Sequence, residues 1–278
     1  MANLFMRFPE GKTKAVTLSY DDGVAQDIRL IEIMKKYGLK GTFNINSGLY
    51  TPEEVEEGTE HPYAMMKRSK CIATYKNSGM EVALHGLHHP CLDHLPYSMQ
   101  KLEIMQDRIN LEKDFETIVR GMAYPYGNYN DEVVQTLREC GVVYSRTCVA
   151  TERFEIPSDW LRMPTTCHHD NPRLMELAEA FLVEEWNHIP KLFYLWGHSY
   201  EFDMHDNWNV IEEFAQYIGN RENVWYATNI EIYEYVEAYR KLIFSTDGKL
   251  VYNPTGIKVY FQDGERVFCV KPGETLAI

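Results

Sequence analysis

The chain has 278 residues, and 28 basic against 41 acidic side chains give it a formal charge of −13. Such an acidic chain is poorly suited to gripping nucleic acid or anionic lipid through a broad basic surface. Its 45% hydrophobic and 25% charged residues are those of a folded globular protein, and one α/β barrel often fills this length.

In chain order, Ala15-Val16-Thr17-Leu18-Ser19-Tyr20 reads as a first strand, closed by Asp21-Asp22-Gly23. Val24, Ile28, Ile31 and Met34 then recur at helical spacing up to Gly38. Residues 42–46 and 81–84 read as strands, with a helix near 64–76 between them. Ser98 is the expected N-cap of a helix that buries Leu102, Met105 and Ile109. Strands are expected over 118–124, 142–148, 161–167, 192–196 and 224–227. Helices are expected over 131–140, from Pro172, over 210–218 and over 231–242. Glu53, Glu54, Glu56 and Glu57 read as a solvated helix face.

This alternation of strand and helix predicts an α/β fold, a distorted (β/α)7-type barrel over residues 1–243. Asp247-Gly248 and Asp263-Gly264, set between β-rich runs, predict a small antiparallel appendage over 244–278. No membrane span is predicted, and residues 1–10 show no basic stretch leading into an apolar one, so the expected location is the cytoplasm. The six cysteines, Cys71, Cys91, Cys140, Cys148, Cys167 and Cys269, include no CxxC pair and are expected as reduced thiols.

Polar residues gather where predicted strands end, the functional side of parallel α/β folds. Asp21-Asp22 follows the first strand, His85 the third and His198 a late one. Singly, each has an ordinary explanation as turn former, helix cap or surface residue. His85-Gly-Leu-His-His89 is more specific, because histidines at i and i+4 can reach one metal from the same side of a helical turn. A carboxylate from another strand end would complete two histidines and one acid, a set that leaves a coordination position open. His168-His169-Asp170 also has metal-ligand composition, yet adjacent histidines are expected to point apart. Trp196 is expected in the core, and Glu201 and His205 in a loop lining a cleft.

Four ordered motifs resemble the polysaccharide deacetylases, the NodB-homology carbohydrate esterase group. Thr17-Leu18-Ser19-Tyr20-Asp21-Asp22-Gly23 resembles their TFDDG motif, and His85-Gly86-Leu87-His88-His89-Pro90 their H-T/S-x-x-H-P motif. Ala123-Tyr124-Pro125-Tyr126-Gly127 resembles R-x-P-Y-G, and Leu195-Trp196-Gly197-His198 the late L-x-H motif. The resemblance implies that Asp22, His85 and His89 hold a divalent metal, usually zinc. Asp21 would be the general base, His198 the general acid, and the Tyr126 backbone N–H an oxyanion donor. The implied activity is removal of N-acetyl groups from a small or oligomeric saccharide by metal-activated water.

The departures are as informative. The family's motif-three arginine, which pairs with the base, is replaced by Ala123; Arg146 and Arg162 on later strands are the candidate substitutes. Gly86 stands where the family has Thr or Ser. Asp159-Trp160 resembles the family motif whose aspartate tunes the acid histidine. Two other readings remain: a related C–N hydrolase acting on a small amide, and a carbohydrate-binding member that has lost turnover.

Overall fold

The strand carrying Asp21 is buried along its whole length, which only a central parallel strand covered on both faces achieves. The computed structural model describes residues 4–56, 61–183 and 189–278. In its first half, β1 (Leu4–Arg7) precedes β2 (Lys14–Asp21), α1 (Asp27–Lys36), β3 (Gly41–Ile45), α2 (Arg68–Tyr75), β4 (Glu81–Leu84), α3 (Tyr97–Phe115), β5 (Gly121–Ala123) and α4 (Asp131–Glu139). There follow β6 (Tyr144–Ala150), β7 (Met163–Thr165), β8 (Cys167–His168), α5 (Leu174–Val183), β9 (Lys191–Gly197), α6 (Tyr200–Met204), α7 (Trp208–Ile218), β10 (Val224–Tyr226) and α8 (Asn229–Arg240).

β2 pairs in parallel with β3 on one side and β9 on the other, and β10 lies beside its first residues. From β3 the ladder runs through β4, β5 and β6 to β7. The segment 163–168 then turns the corner: β7 pairs with β6, the Thr166 N–H donates to the Tyr194 carbonyl at 2.9 Å, and β8 pairs with β9. The ring therefore closes, with β2, β3, β4, β5, β6, the β7–β8 segment and β9 as its staves. This is the expected distorted α/β barrel; the strand expected over 161–167 is split because it serves two neighbours.

Helix ends follow local chemistry. The Asn130 side chain accepts from Val133 N–H at the start of α4, and Thr228 with Glu231 forms a capping box on α8. The helix expected from residue 64 begins at Arg68, and residues 53–56 form a turn rather than a helix; Glu57 lies outside the described residues.

α3 reverses the expected face. Leu102, Met105 and Ile109 are exposed, whereas Gln100, Glu103, Asp107 and Asp114 are buried beside Ile104, Leu111 and Phe115. The reason is polar: Glu103 takes the backbone N–H and ring Nδ1 of His88 at 2.8 and 2.9 Å, and Asp107 takes the Ser47 and His85 N–H groups at 2.8 and 3.2 Å. A buried N–H needs a partner, and α3 supplies carboxylates to loops at the barrel mouth.

Past the barrel come β11 (Ile243–Phe244), β12 (Leu250–Tyr252), β13 (Val259–Asp263), β14 (Arg266–Val270) and β15 (Thr275–Ala277). β11–β12 and β13–β14 are antiparallel hairpins closed at Asp247-Gly248 and Asp263-Gly264, as the turn residues imply. The appendage is not confined to the C-terminal segment, since β1 pairs antiparallel with β13. Val251, Val259, Phe261 and Val270 pack with Ala238 and Leu242 at the end of α8. All six cysteines are free thiols. No helix among the described residues is long and apolar enough to cross a membrane.

Candidate active site

β2 ends by placing both aspartates at the barrel mouth. Asp21 is the last strand residue and faces the lumen, 2% exposed. Asp22 takes a left-handed φ of 78°, and this reversal lets two consecutive carboxylates serve one site where an extended strand would separate them. β4 ends at Leu84, so His85 enters the mouth directly. Gly86, at φ 78°, begins the turn that returns His89 toward His85; a Cβ there would sit 3.2 Å from Pro90 Cδ, which accounts for glycine in place of the family's Thr or Ser.

Asp22 Oδ1 lies 3.8 Å from His85 Nε2 and 3.9 Å from His89 Nε2, and the two histidine nitrogens are 3.1 Å apart. His85 Nδ1 is 2.9 Å from the Ala123 carbonyl, which only accepts, so Nδ1 carries the proton and Nε2 of the neutral ring presents its lone pair to His89 and Asp22. Burial, followed by the His85 ring, pushes His89 below the usual histidine range and keeps it neutral. Two imidazole nitrogens and one carboxylate converging on a point suit a zinc-class divalent ion. His88 turns outward onto Glu103, which explains why the middle histidine of the motif is not in the group.

Asp21 stands beside this group with its own partners. Its Oδ2 is bound by the Arg146 guanidinium and lies 3.8 Å from both His85 Nε2 and His198 Nε2; the Asn44 amide donates to Oδ1 at 2.8 Å. Burial pushes this carboxyl up, but Arg146, His85, His198 and Asn44 outweigh it and hold it below the usual carboxylate range. Arg146 is 1% exposed and its guanidinium carbon sits over the Trp196 ring, 4.3 Å from the ring centre. Trp196 thus lines the mouth rather than packing into the core.

Arg162 does not support Asp21. It sits in a turn at the rim, bound to Asp131 and Asp159 at 2.5 and 2.7 Å. Asp159 is occupied there too, and Glu201 is the carboxylate that faces His198. Glu201 lies on α6, where a loop was expected, and its Oε2 accepts from the His198 N–H at 3.1 Å and lies 3.3 Å from His198 Nδ1. Burial lowers His198, but Glu201, Asp21 and Asp22 reverse this and raise it above the usual histidine range. Glu201 itself is held far below the carboxylate range by His168, His169 and His198, against the upward push of burial.

His168 and His169 do not point apart. Their Nε2 atoms lie 3.3 and 3.2 Å from the same Glu201 oxygen. Gly197 permits this packing, because a Cβ there would meet His169 Nδ1 at 2.0 Å. Tyr126, at φ 58°, is exposed with its ring edge-on to His89 at 4.4 Å. His205 is exposed, and Trp208 packs in the core against Phe202.

Asn44, Asn46 and Asp107 were not among the predicted site residues. Asn46 donates to the His85 and Gly86 carbonyls at 2.5 and 2.6 Å. For the two asparagines a signal was present: Thr42 and Asn44 in β3 and Asn46 just past its end are polar at a spacing of two in a buried strand, so one face of it had to look onto polar groups.

Residues 9–145 match the sequence profile of the polysaccharide deacetylase family. YxkH of Bacillus subtilis (strain 168), named for that family, is 24% identical over 135 residues, 46% of this chain and 42% of the relative, so this chain spans less than half of that relative's length. A crystal structure from Mycobacterium smegmatis, named for the same family, superposes with a TM-score of 0.58 over 86% of this chain and 96% of the other, at 16% identity. A family 4 carbohydrate esterase from Streptomyces lividans, solved with acetate, gives 0.50 over 77% and 92%, at 14% identity.

Proposed function

We propose that this chain, which belongs to the polysaccharide deacetylase family, is a metal-dependent hydrolase that removes N-acetyl or related acyl groups from a sugar or short saccharide. The observation that carries the proposal is the convergence of Asp22 Oδ1, His85 Nε2 and His89 Nε2 beside Asp21, with the Ala123 carbonyl fixing the His85 tautomer. A divalent ion of the zinc class held by these three atoms would supply Lewis-acid activation of the water and of the amide carbonyl.

The remaining steps belong to the chain's own residues. Asp21, kept ionised by Arg146 and Asn44, accepts the proton of the attacking water. The Tyr126 backbone N–H donates to the oxygen that gains negative charge as the carbonyl is attacked. His198, across 3.8 Å from Asp21, gives its Nε2 proton to the departing amine. Glu201 keeps the ring turned so that Nε2 faces the mouth. Amines leave poorly unless protonated, so a histidine within reach of Asp21 that can donate a proton suits an amide. The exposed Tyr126 ring and the partly exposed Trp196 offer flat faces of the kind sugar rings stack upon.

Metal analysis joined to an acetate-release screen over chitooligosaccharides and acetylated monosaccharides tests the proposal. Acetate release that disappears on chelation and returns with zinc supports it. A protein carrying one equivalent of metal that releases acetate from none of these substrates overturns it.

A further inference from the structure

A second convergence of ligand atoms lies on the other side of His198. Glu201 Oε2 is 3.3 Å from His168 Nε2, 3.2 Å from His169 Nε2, 3.3 Å from His198 Nδ1 and 3.1 Å from the His198 backbone nitrogen. The ligand atoms of His168, His198 and Glu201 all lie within 4.8 Å of one another. One carboxylate oxygen has two lone pairs, yet four nitrogens face it. Their separations exceed the roughly 2.7–2.9 Å of a charge-assisted hydrogen bond. They do match the edge of a tetrahedron around an ion with bonds of about 2.0–2.1 Å, which is about 3.3–3.4 Å.

The tautomer of His168 points the same way. Its Nδ1 is 2.5 Å from Asp170 Oδ1; in the tautomer that donates to this carboxylate, Nε2 turns a lone pair onto the Glu201 oxygen. Two acceptors facing each other at 3.3 Å need a positive charge between them. A proton on Nε2 answers this for His168 alone, whereas a divalent ion answers it for His168, His198 and Glu201 together. Asp170 then has the place of the carboxylate that orients a ligating histidine from behind.

We propose that His168 Nε2, His198 Nδ1 and Glu201 form a second cation site, separate from Asp22–His85–His89, and that its occupation silences the enzyme. Two imidazoles and one carboxylate select zinc, cobalt or nickel over magnesium or calcium. The three side chains are each about one-fifth exposed, so the site is open to solvent on one side. His198 links the two sites: Nδ1 faces Glu201 while Nε2 faces Asp21. An imidazole gives up a proton readily when both nitrogens carry hydrogen, and an ion on Nδ1 removes that state. The inhibitory arm therefore rests on the proposed role of His198; the binding arm does not.

Cobalt(II) titration of the doubly substituted His85→Ala, His89→Ala chain, followed by its visible absorption and by calorimetry, tests the binding arm without the first site. One equivalent is expected, lost on adding either His168→Ala or Glu201→Gln, with far-UV circular dichroism confirming that each variant is folded. No binding in the folded double variant overturns the proposal, as does binding that survives both further changes. In the wild-type chain, zinc should raise acetate release up to one equivalent and lower it at least tenfold beyond two, and His168→Ala should abolish the fall relative to its own maximum. A flat response above one equivalent overturns the inhibitory arm. A chain that holds the second ion but releases no acetate under any condition defeats the deacetylase reading and leaves the second site standing.

Discussion

Ala123 on β5 and Arg146 on β6 are direct partners in the parallel ladder. Between them they divide the work of one residue: the Ala123 carbonyl fixes His85, and the Arg146 guanidinium holds Asp21. In the proposed reaction Arg146 would stand in for the arginine that the resemblance places at the third motif, from the same level of the barrel and one strand along.

Arg146→Met should leave Asp21 buried without its cation. Loss of one partner of a buried pair costs on the order of 3–5 kcal/mol. Because Asp21 is held below its usual range when folded, the stability that it contributes is present above its unfolded value and is lost as pH falls through the folded one. With Arg146 gone, the acidic limb of the rate profile should move up in pH. Arg162→Met, at an exposed pair, should shift stability by about 1 kcal/mol or less and leave that limb in place. Urea titrations and kcat/KM against pH for both variants decide the matter; equal behaviour would remove Arg146 from its role.

The two aspartates should separate by metal content. Asp21→Asn should keep the ion and lose most turnover, since it removes a base. Asp22→Asn, His85→Ala and His89→Ala should each lose the ion from the first site. Metal analysis of these variants made in a His168→Ala background, prepared with sub-stoichiometric zinc, checks this, and equal metal loss from Asp21→Asn and Asp22→Asn would contradict the division.

His198→Ala should cost roughly 10²–10⁴-fold in kcat, the usual range for a general acid, while the first-site metal remains. Glu201→Gln should move the alkaline limb down in pH, because Glu201 is among the groups that raise His198 against the effect of burial. Restoration of the limb by Glu201→Asp would show that the carboxylate, not the packing, sets it.

Far from the mouth, Glu81 accepts from Thr42, Tyr144 and the Ile230 N–H at 2.8, 2.7 and 2.9 Å, and burial raises it to about 7. A folded value above the unfolded one means that its contribution is full below the unfolded value and is lost as pH rises toward 7. Glu81→Gln keeps the shape of the neutral acid and should flatten this fall, by up to roughly 3 kcal/mol. Denaturation measured between pH 4 and 8 compares the slopes; identical slopes would mean that Glu81 titrates alike in the folded and unfolded chain.

On α3, Ile104→Ala should cost about 2–5 kcal/mol. Leu102→Ala and Ile109→Ala should stay within about 0.5 kcal/mol. Equal losses would restore the face implied by hydrophobic spacing.

The chain's pattern was enough to reach the barrel and its mouth. Buried parallel strands must be continuous runs of strand formers, and they end at polar residues because the mouth is where solvent begins. Asp21, Asp22, His85 and His198 were therefore legible one strand end at a time, and His89 from its spacing to His85. Helix α3 was misread because periodicity counts apolar residues, whereas its buried face is set by N–H groups on other loops that need carboxylates. Arg146 and Arg162 look alike along the chain; only the ladder puts one opposite Ala123 in the lumen and the other in a rim turn. The gathering of His168, His169 and Glu201 around His198 was equally invisible, since it depends on the 163–168 segment crossing from β6 to β9. Such pairings join residues about 30 apart in sequence, and no local spacing encodes them.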